Sequence, residues 1–500
     1  MSFLLILFTL FTKIMGFIRD LTLSYFYGAS GISDAYLISM TIPGTIFTFV
    51  ATGISTSFIP LYHEIKEKEG FQKSLIFTNQ ILKLMIIIST ILILILFIFT
   101  GNIVSLFASG LKGDNYIYAI YFTRISATTL YFSGVIYVLK AYSEANGSYL
   151  TPVITSVPAP VITIFSIYLS TIYSVYLISI GSAVAIFIQF ILTYYFIFKK
   201  KIVLKTKSYN AKYLNRMYFL ALPVVLGTSV NQINVLVDRT MASSVIEGGI
   251  SIITYASRIN FLIQDLFVIS IVTIFYPIIS RLTISKNTKD LALTYNKSIN
   301  FINILLIPST ILIFCYSEDI IRILYGRGSF DEKAIKLTSS VLWFYSFGII
   351  FNGWKEIFIR GFYSNFNTKI PVYYSLISTI LNILLSILLV RKIGILGLPI
   401  ATSIAAVILT ISLFFKFNNT IVKLEKKTIL FSIIKITVAS SFSIFTIGIL
   451  YKFFKSNLND IISFLLLIIL YYALYLLILL ILNVKEIREL LKYFKKRKGV

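Results

Sequence analysis

The feature that most constrains this chain is a series of apolar runs, each about 20 residues or longer, separated by short polar breaks. A run of that length crosses the roughly 30 Å of hydrocarbon in a bilayer as one helix. Of the 500 residues, 57% are hydrophobic and only 13% are charged, whereas soluble domains are usually about 25% charged. The sequence therefore predicts an all-α polytopic membrane protein.

The apolar runs and their breaks predict about fourteen transmembrane helices. A basic linker at 199–212 separates an N-terminal six-helix lobe at 1–198 from a C-terminal six-helix lobe at 213–416. Two extra helices are predicted at 428–484, and a basic tail follows at 485–500.

Short motifs recur in the same order in both predicted lobes. Y-S-x-x-N occurs at 142–146 and 363–367, and each copy is soon followed by Pro-Val. Pro60 and Pro277 are each predicted to end the second span of a lobe. Two duplicated bundles that meet at a central site are a transporter architecture. We therefore expect two pseudo-symmetric lobes, with the last two helices outside the repeat.

The net charge of +25 comes largely from lysine and arginine in particular predicted loops, such as 199–216 and 423–427. Cytoplasmic loops of membrane proteins have this distribution, so both termini are expected in the cytoplasm. Basic and aromatic residues are not interleaved outside the spans, which argues against a nucleic-acid partner.

Motifs of enzymatic chemistry are missing from the sequence. The single cysteine, Cys315, excludes an intrachain disulfide and a thiolate metal cluster. The sequence contains no P-loop, nucleophile elbow or H-E-x-x-H motif. We expect a protein that is not an enzyme and that needs no cofactor apart from a candidate coupling ion.

Charged residues inside the first predicted spans require an explanation. An arginine near a helix centre costs about 2.5–3.5 kcal/mol on insertion scales. Arg19 and Asp20 lie within the first span, and Lys13 shares a helix face with Asp20. Asp34 begins the second span, where it is expected to reach the first. Buried ion pairs between helices and a functional site both remain open for Asp20 and Asp34.

The second lobe has a comparable set. Arg258 and Asp265 lie seven residues apart on one face of a span, and Asn231 lies within the seventh span. We interpret Arg19 and Arg258 as functional residues and the neighbouring polar groups as their support. A cationic cavity in a bilayer indicates an anionic substrate, and arginine suits phosphate through its fixed fork of donors.

Several motifs together resemble those of the MurJ/MviN family of bacterial lipid II flippases. They include "GFIRD" at 16–20, "SDAYLISMTIP" at 33–43, "NQINVLVDRTMASS" at 231–244, "YASRINF" at 255–261 and "LYGRGSFDEKA" at 324–334. The likeness covers about residues 10–410 in the same order. The resemblance implies fourteen spans, a central cationic cavity for a lipid-linked diphosphate, and a groove for the polyprenyl tail at the last two helices.

The resemblance assigns substrate-binding roles to Arg19, Asp34 and Arg258. Lys13 stands where the family usually has arginine, so the charge is kept but the bidentate fork is lost. Supporting polar roles are expected for Asp20, Asn231 and Asp265.

Two departures from the family pattern occur on the second span. Phe47 stands where the family has an arginine, and Thr52 stands where it has a glutamate. A cation and an anion are missing together, which indicates a lost ion pair and leaves the identity of the glycan open.

The resemblance also implies a candidate sodium site. Asp238, Asn382 and Thr402 fall where family members place oxygen ligands, and Ser386 stands where a carboxylate is found. Fewer charged ligands predict weaker binding of the cation.

The leading hypothesis is a monomeric flippase of the bacterial cytoplasmic membrane that moves lipid II from the cytoplasmic to the outer leaflet by alternating access. A flippase for another polyprenyl-linked glycan, such as a teichoic-acid or capsule unit, is an alternative. A non-transporting scaffold of the cell-wall machinery is a third hypothesis. Each hypothesis allows contact with cell-wall synthesis proteins.

Overall fold

A computed structural model describes residues 2–198 and 211–489 of the chain. These residues form helices and short connections without any β-strand, which confirms the all-α prediction. Residues 199–210 of the predicted linker and 490–500 of the predicted tail lie outside the described residues.

The described part of the chain contains helices of very different lengths, and a 3₁₀ turn at Gly394–Leu396 connects the fourteenth to the fifteenth. Their bounds are α1 Ser2–Tyr27, α2 Gly31–Glu69, α3 Phe71–Ile98, α4 Thr100–Phe107, α5 Gly113–Ala145, α6 Leu150–Ser156, α7 Pro158–Ile172, α8 Leu177–Phe198, α9 Ala211–Val245, α10 Gly249–Ile284, α11 Thr288–Leu324, α12 Glu332–Ser346, α13 Ile349–Ser364, α14 Lys369–Ile393, α15 Gly397–Thr420, α16 Lys426–Asn457 and α17 Asp460–Ile481.

Within the described residues, nine helical stretches are long and apolar enough to cross a membrane. Two of them join consecutive helices, namely α6 with α7 and α14 with α15. α12 and α13 make a tenth if their 42° bend lies within one span. α1, α5 and α9 have 26, 33 and 35 residues, which also suffices to cross about 30 Å. The chain is therefore a multi-pass membrane protein, while the count of fourteen spans stays a prediction.

The prolines that were predicted to end two spans lie inside longer helices. α2 continues past Pro60 to Glu69, and α10 continues past Pro277 to Ile284. A proline removes one backbone donor, and here the rest of each helix continues around that gap. The helices therefore extend beyond both prolines, and the expectation that the membrane spans end near them stays a prediction.

Both copies of the Y-S-x-x-N motif lie at the C-terminal end of a helix. α5 ends at Ala145, and the Nδ2 group of its C-cap residue Asn146 donates to the carbonyl of Tyr142 at 2.8 Å. α13 ends at Ser364, inside the second copy. Asparagine serves such ends because its side chain bonds backbone groups nearby.

The chain forms two compact units. The first comprises Met1–Ile252 with Arg327–Asp331, and the second comprises Ile253–Gly326 with Glu332–Val500. The division into two six-helix lobes at the basic linker stays a prediction.

One core of the first unit is built around the aromatic residues Phe58, Tyr62 and Phe77. The ring of Phe58 stacks on the rings of Tyr62 and Phe77 with centroids 5.7 and 5.6 Å apart. These side chains join α2 to α3 away from lipid and water.

A core of the second unit joins α11, α16 and α17. Pro308 lies inside α11 and has no N–H for the carbonyl of Ile304. The hydroxyl of Tyr475 on α17 donates to that carbonyl at 2.8 Å. Tyr471 donates to the carbonyl of Pro308 at 3.0 Å. Two buried tyrosines therefore satisfy backbone groups around a proline that would otherwise leave an acceptor unpaired.

Candidate functional site

Arg19 and Asp20, consecutive residues of α1, form an ion pair. Nε and Nη2 of Arg19 donate to Oδ1 of Asp20 at 3.1 and 2.7 Å. The Asp20 side chain is 4% exposed, whereas that of Arg19 is 28% exposed. The buried carboxylate therefore orients the guanidinium and leaves part of it accessible. The supporting role of Asp20 stays a prediction.

Asp34 takes a different position from the one expected. Its carboxylate is buried, and Oδ1 accepts hydrogen bonds from the backbone N–H and hydroxyl of Ser251 at 2.7 and 2.5 Å. Oδ2 accepts from the backbone N–H of Ile250 at 3.4 Å. These donors belong to the first turn of α10, where backbone N–H groups have no partner within the helix. The expectation that Asp34 reaches the first helix is wrong, because this helix start competes for the carboxylate.

A cavity of about 380 Å³ lies inside the first unit, and Lys13 lines it. Lys140 of α5 and Gln189 of α8 line the same cavity, together with several hydroxyl side chains. No carboxylate is among its lining residues in the described part of the chain. The cavity is therefore cationic and rich in hydrogen-bond donors.

Lys140 was missed by the sequence reasoning. It lies within a predicted span, four residues before Glu144, and its Nζ atom is 3.9 Å from Oε1 of that residue. The sequence does contain a signal for this position, because a lysine within an apolar span is rare and often functional. Arg19 is not among the residues that line the cavity.

A second polar cavity, of about 570 Å³, lies inside the second unit. Asp265 lines it with Gln264, Glu356 and Arg360, and Arg360 lies over the ring of Tyr276 at 5.9 Å. Among the described residues, its lining contains two carboxylates and one guanidinium, whereas the lining of the first cavity contains two lysines and no carboxylate. Arg258 is exposed on α10 and is not among the lining residues.

Three of the four predicted sodium ligands lie on the neighbouring helices α14 and α15 of the second unit. Nδ2 of Asn382 donates to Oγ1 of Thr402 at 3.1 Å, and Ser386 follows one turn after Asn382. Oδ1 of Asn382 and Oγ of Ser386 are buried without a hydrogen-bond partner among the described residues. Such unpaired buried oxygens are rare, and they suit a cation that binds oxygen.

The fourth predicted sodium ligand, Asp238, and the predicted supporting residue Asn231 lie on α9 in the first unit. Asp238 is buried, and within the described residues its Oδ1 atom has no hydrogen-bond partner. Asn231 also lies on α9, but its side chain is outside the described residues. The clusters of His, Cys, Asp and Glu that hold metals such as zinc do not occur in the described part of the chain.

Phe47 fills the position at which the resemblance implies an arginine. Its side chain is buried in an apolar core of the first unit, and its ring centroid lies 5.4 Å from that of Tyr137. The hydroxyl of Thr52 donates to the carbonyl of Thr48 at 2.7 Å within α2. Phe47 therefore contributes apolar packing at this position.

The comparison with family models covers most of the chain. Residues 23–472 match the model of the lipid II flippase MurJ. A probable lipid II flippase MurJ of Buchnera aphidicola subsp. Baizongia pistaciae is 29% identical over 407 residues, which cover 80% of this chain and 79% of that protein. Another from Aquifex aeolicus is 28% identical over 446 residues, covering 87% and 85% of the two chains.

One solved structure is of the same family, and another shares the fold. The structure of a lipid II flippase MurJ in an inward closed conformation matches with a TM-score of 0.84 and 26% identity, covering 98% of this chain and 100% of that one. An inward-facing multidrug transporter of the MATE family matches with a TM-score of 0.72 and 14% identity, over 81% and 93% of the two chains, which supports the fold alone. With matching motifs, a matching family model and a matching architecture, the chain belongs to the MurJ family of lipid II flippases.

Proposed function

We propose that the chain moves lipid II from the cytoplasmic to the outer leaflet of the bacterial cytoplasmic membrane. The observation that carries this proposal is the match of residues 23–472 to the lipid II flippase family model. Translocation proceeds by alternating access and makes or breaks no covalent bond, so the chain acts as a transporter and not as an enzyme.

The charges of the chain suit a diphosphate. In this proposal Arg19 of the first unit and Arg258 of the second unit each contact the diphosphate at a stage of the transport cycle. Guanidinium groups bind phosphate oxygens with two parallel hydrogen bonds. Lys13 and Lys140 line a cationic cavity without carboxylates among its lining residues. That cavity offers point charges and hydroxyl donors to the diphosphate or the first sugar. Asp34 supports the proposed site indirectly, because its carboxylate binds the first turn of α10.

The direction of transport has a physical driving force. An anion that moves outward is aided by an inside-negative potential, worth about 2.3 kcal/mol per charge per 100 mV. We propose sodium as the coupling ion, with Asn382, Ser386 and Thr402 of the second unit as ligands. The unpaired buried oxygens of Asn382 and Ser386 support this choice.

The proposed topology follows the basic loops. Both termini lie in the cytoplasm, because basic residues concentrate on that side of a bilayer. The chain acts as a monomer and meets cell-wall synthesis proteins at its membrane surfaces.

Rescue of a bacterium depleted of its own lipid II flippase tests the proposal. The parent chain, Arg19→Ala and Arg258→Ala are expressed at matched membrane levels, with Arg281→Ala as a control that removes an exposed arginine. The parent and the control should rescue growth, whereas the two other variants should not. Full rescue by both Arg19→Ala and Arg258→Ala contradicts the proposed roles of the arginines.

Failure of the well-inserted parent chain to rescue growth contradicts lipid II as the substrate. Transport assays with purified polyprenyl-linked teichoic-acid or capsule precursors then test the second hypothesis. The third hypothesis, a scaffold, predicts a different pattern. Substitutions in the cavity should leave growth unchanged, whereas substitutions in the cytoplasmic loops should impair it.

A further inference from the structure

A third cavity, of about 360 Å³, lies in the second unit where α11, α16 and the segment after α17 meet. Lysines contribute much of its polar lining, namely Lys427 and Lys435 of α16 and Lys485 beyond α17. Neither the transport site nor the candidate sodium site includes any of these residues.

The charge balance of this cavity is positive. Its three lysines face one lining carboxylate, Glu486, which is buried and accepts a hydrogen bond from Nδ2 of Asn300 at 2.6 Å. Nζ of Lys435 donates to the carbonyl of Leu482 at 2.8 Å. That bond holds one ammonium group in the wall of the cavity, so an anion entering it meets a fixed positive charge.

Two buried polar atoms of the lining have no hydrogen-bond partner among the described residues. Ser432 is 8% exposed and its Oγ is unpaired, and Asn300 is 2% exposed and its Oδ1 is unpaired. Buried polar atoms normally have partners because leaving them unpaired is costly. A hydroxyl donates to a phosphate oxygen, while an amide oxygen accepts from a hydroxyl or amine beside the phosphate.

The surroundings of the cavity favour a ligand at a membrane surface. Lys427 and Thr428 belong to the first turn of α16, which begins at Lys426, and a helix N-terminus attracts anions. Phe431 also lines the cavity and is 65% exposed, so an apolar surface adjoins the lysines. Basic pockets between transmembrane helices on the cytoplasmic side bind acidic lipid headgroups.

We propose that this cavity binds a phosphate-bearing anion, with the headgroup of an acidic phospholipid as the occupant that its surroundings favour. The lysines and the Ser432 hydroxyl contact the phosphate, and Asn300 accepts from the headgroup beyond it. The proposal does not depend on which lipid the chain transports.

The test measures lipid binding to the purified, delipidated full chain. The probes are phosphatidylglycerol and phosphatidylcholine with the same acyl chains. The variant Lys427→Gln, Lys435→Gln, Lys485→Gln removes the charges of the cavity. The matched control Lys289→Gln, Lys369→Gln, Lys423→Gln removes three exposed charges that do not line it. We expect the cavity variant to bind phosphatidylglycerol about tenfold more weakly and the control to be unchanged.

Ser432→Leu tests the cavity without changing charge, because the larger side chain occupies the space of the headgroup. Equal weakening in the cavity variant and the lysine control overturns the proposal, as does unchanged binding by folded Ser432→Leu. Inorganic phosphate and glycerol 3-phosphate distinguish the sources of the anion. Displacement of phosphatidylglycerol by millimolar amounts of either identifies a soluble phosphate as the occupant, and resistance to both identifies the lipid.

Discussion

The carboxylate of Asp34 accepts both the backbone N–H and the hydroxyl of Ser251, at 2.7 and 2.5 Å, across 217 positions of the sequence. The contact fastens the beginning of α2 to the first turn of α10 within the first unit. An acidic residue near a helix N-terminus stabilises the unpaired N–H groups there. A residue that the sequence marks as a candidate ligand is thus also a structural tie between two helices.

Asp34→Ala should lower the free energy of unfolding by about 2–3 kcal/mol, because the N–H groups of Ile250 and Ser251 lose their buried acceptor. Thermal unfolding of the purified chain in detergent measures this. Asp290→Ala is the control, since Asp290 also lies in the first turn of a helix but is exposed. Equal stability of Asp34→Ala and the parent would show that water or another acceptor replaces the carboxylate.

Tyr475→Phe should destabilise the chain by about 1–3 kcal/mol, because the carbonyl of Ile304 then has neither a backbone partner nor the tyrosine hydroxyl. The ring and its packing are kept, so the loss isolates one hydrogen bond. Tyr373→Phe, at a 62% exposed position, should leave the unfolding temperature unchanged. If Tyr475→Phe and Tyr373→Phe unfold at the same temperature, the hydroxyl of Tyr475 does not stabilise the carbonyl that Pro308 leaves without a backbone partner.

Arg19→Ala should abolish transport and also lower stability, because the buried Asp20 loses the guanidinium that pairs with it. The double variant Arg19→Ala, Asp20→Asn also removes the buried negative charge, so it should regain stability without regaining transport. Lipid II translocation in proteoliposomes and thermal unfolding separate the two effects. Transport by the stable double variant would assign Arg19 a structural role only.

Ser386→Asp should increase the affinity of the candidate sodium site, because a carboxylate then lies one turn after Asn382, whose amide contacts Thr402. The readout is the shift of the unfolding temperature in NaCl relative to KCl at equal ionic strength. The shift should appear at lower NaCl concentrations than in the parent chain. Asn382→Ala should abolish it. An unfolding temperature that is the same in both salts for every variant excludes sodium binding at these residues.

Phe47→Ala should cost about 3–5 kcal/mol, as expected for removal of a buried aromatic side chain. Phe47→Arg restores the family's residue type but should be at least as destabilising, because the charge enters an apolar core beside Tyr137. Phe442→Ala, at a 59% exposed position, is the matched control for unfolding in detergent. A Phe47→Arg variant as stable as the parent would show that the position still accommodates the cation.

The charged pairs show how far sequence reasoning reached. Asp20 was expected to support Arg19, and the structure pairs the two side chains, which are adjacent in the sequence. Asp34 was assigned the wrong neighbour, since several helix ends lie within reach of a residue at the start of a span. Lys140 was missed because spacing along one helix does not show which helix it faces.

The sequence by itself determined that this chain crosses the membrane many times, because apolar runs of about 20 residues have no other stable environment. Its motifs also identified the family. Only the tertiary structure decided that Asp34 holds the start of α10, that Phe47 packs against Tyr137, and that Lys427, Lys435 and Lys485 line one cavity. The physical reason is that helix formation depends on local sequence, whereas the partner of a buried polar group depends on which helices pack together.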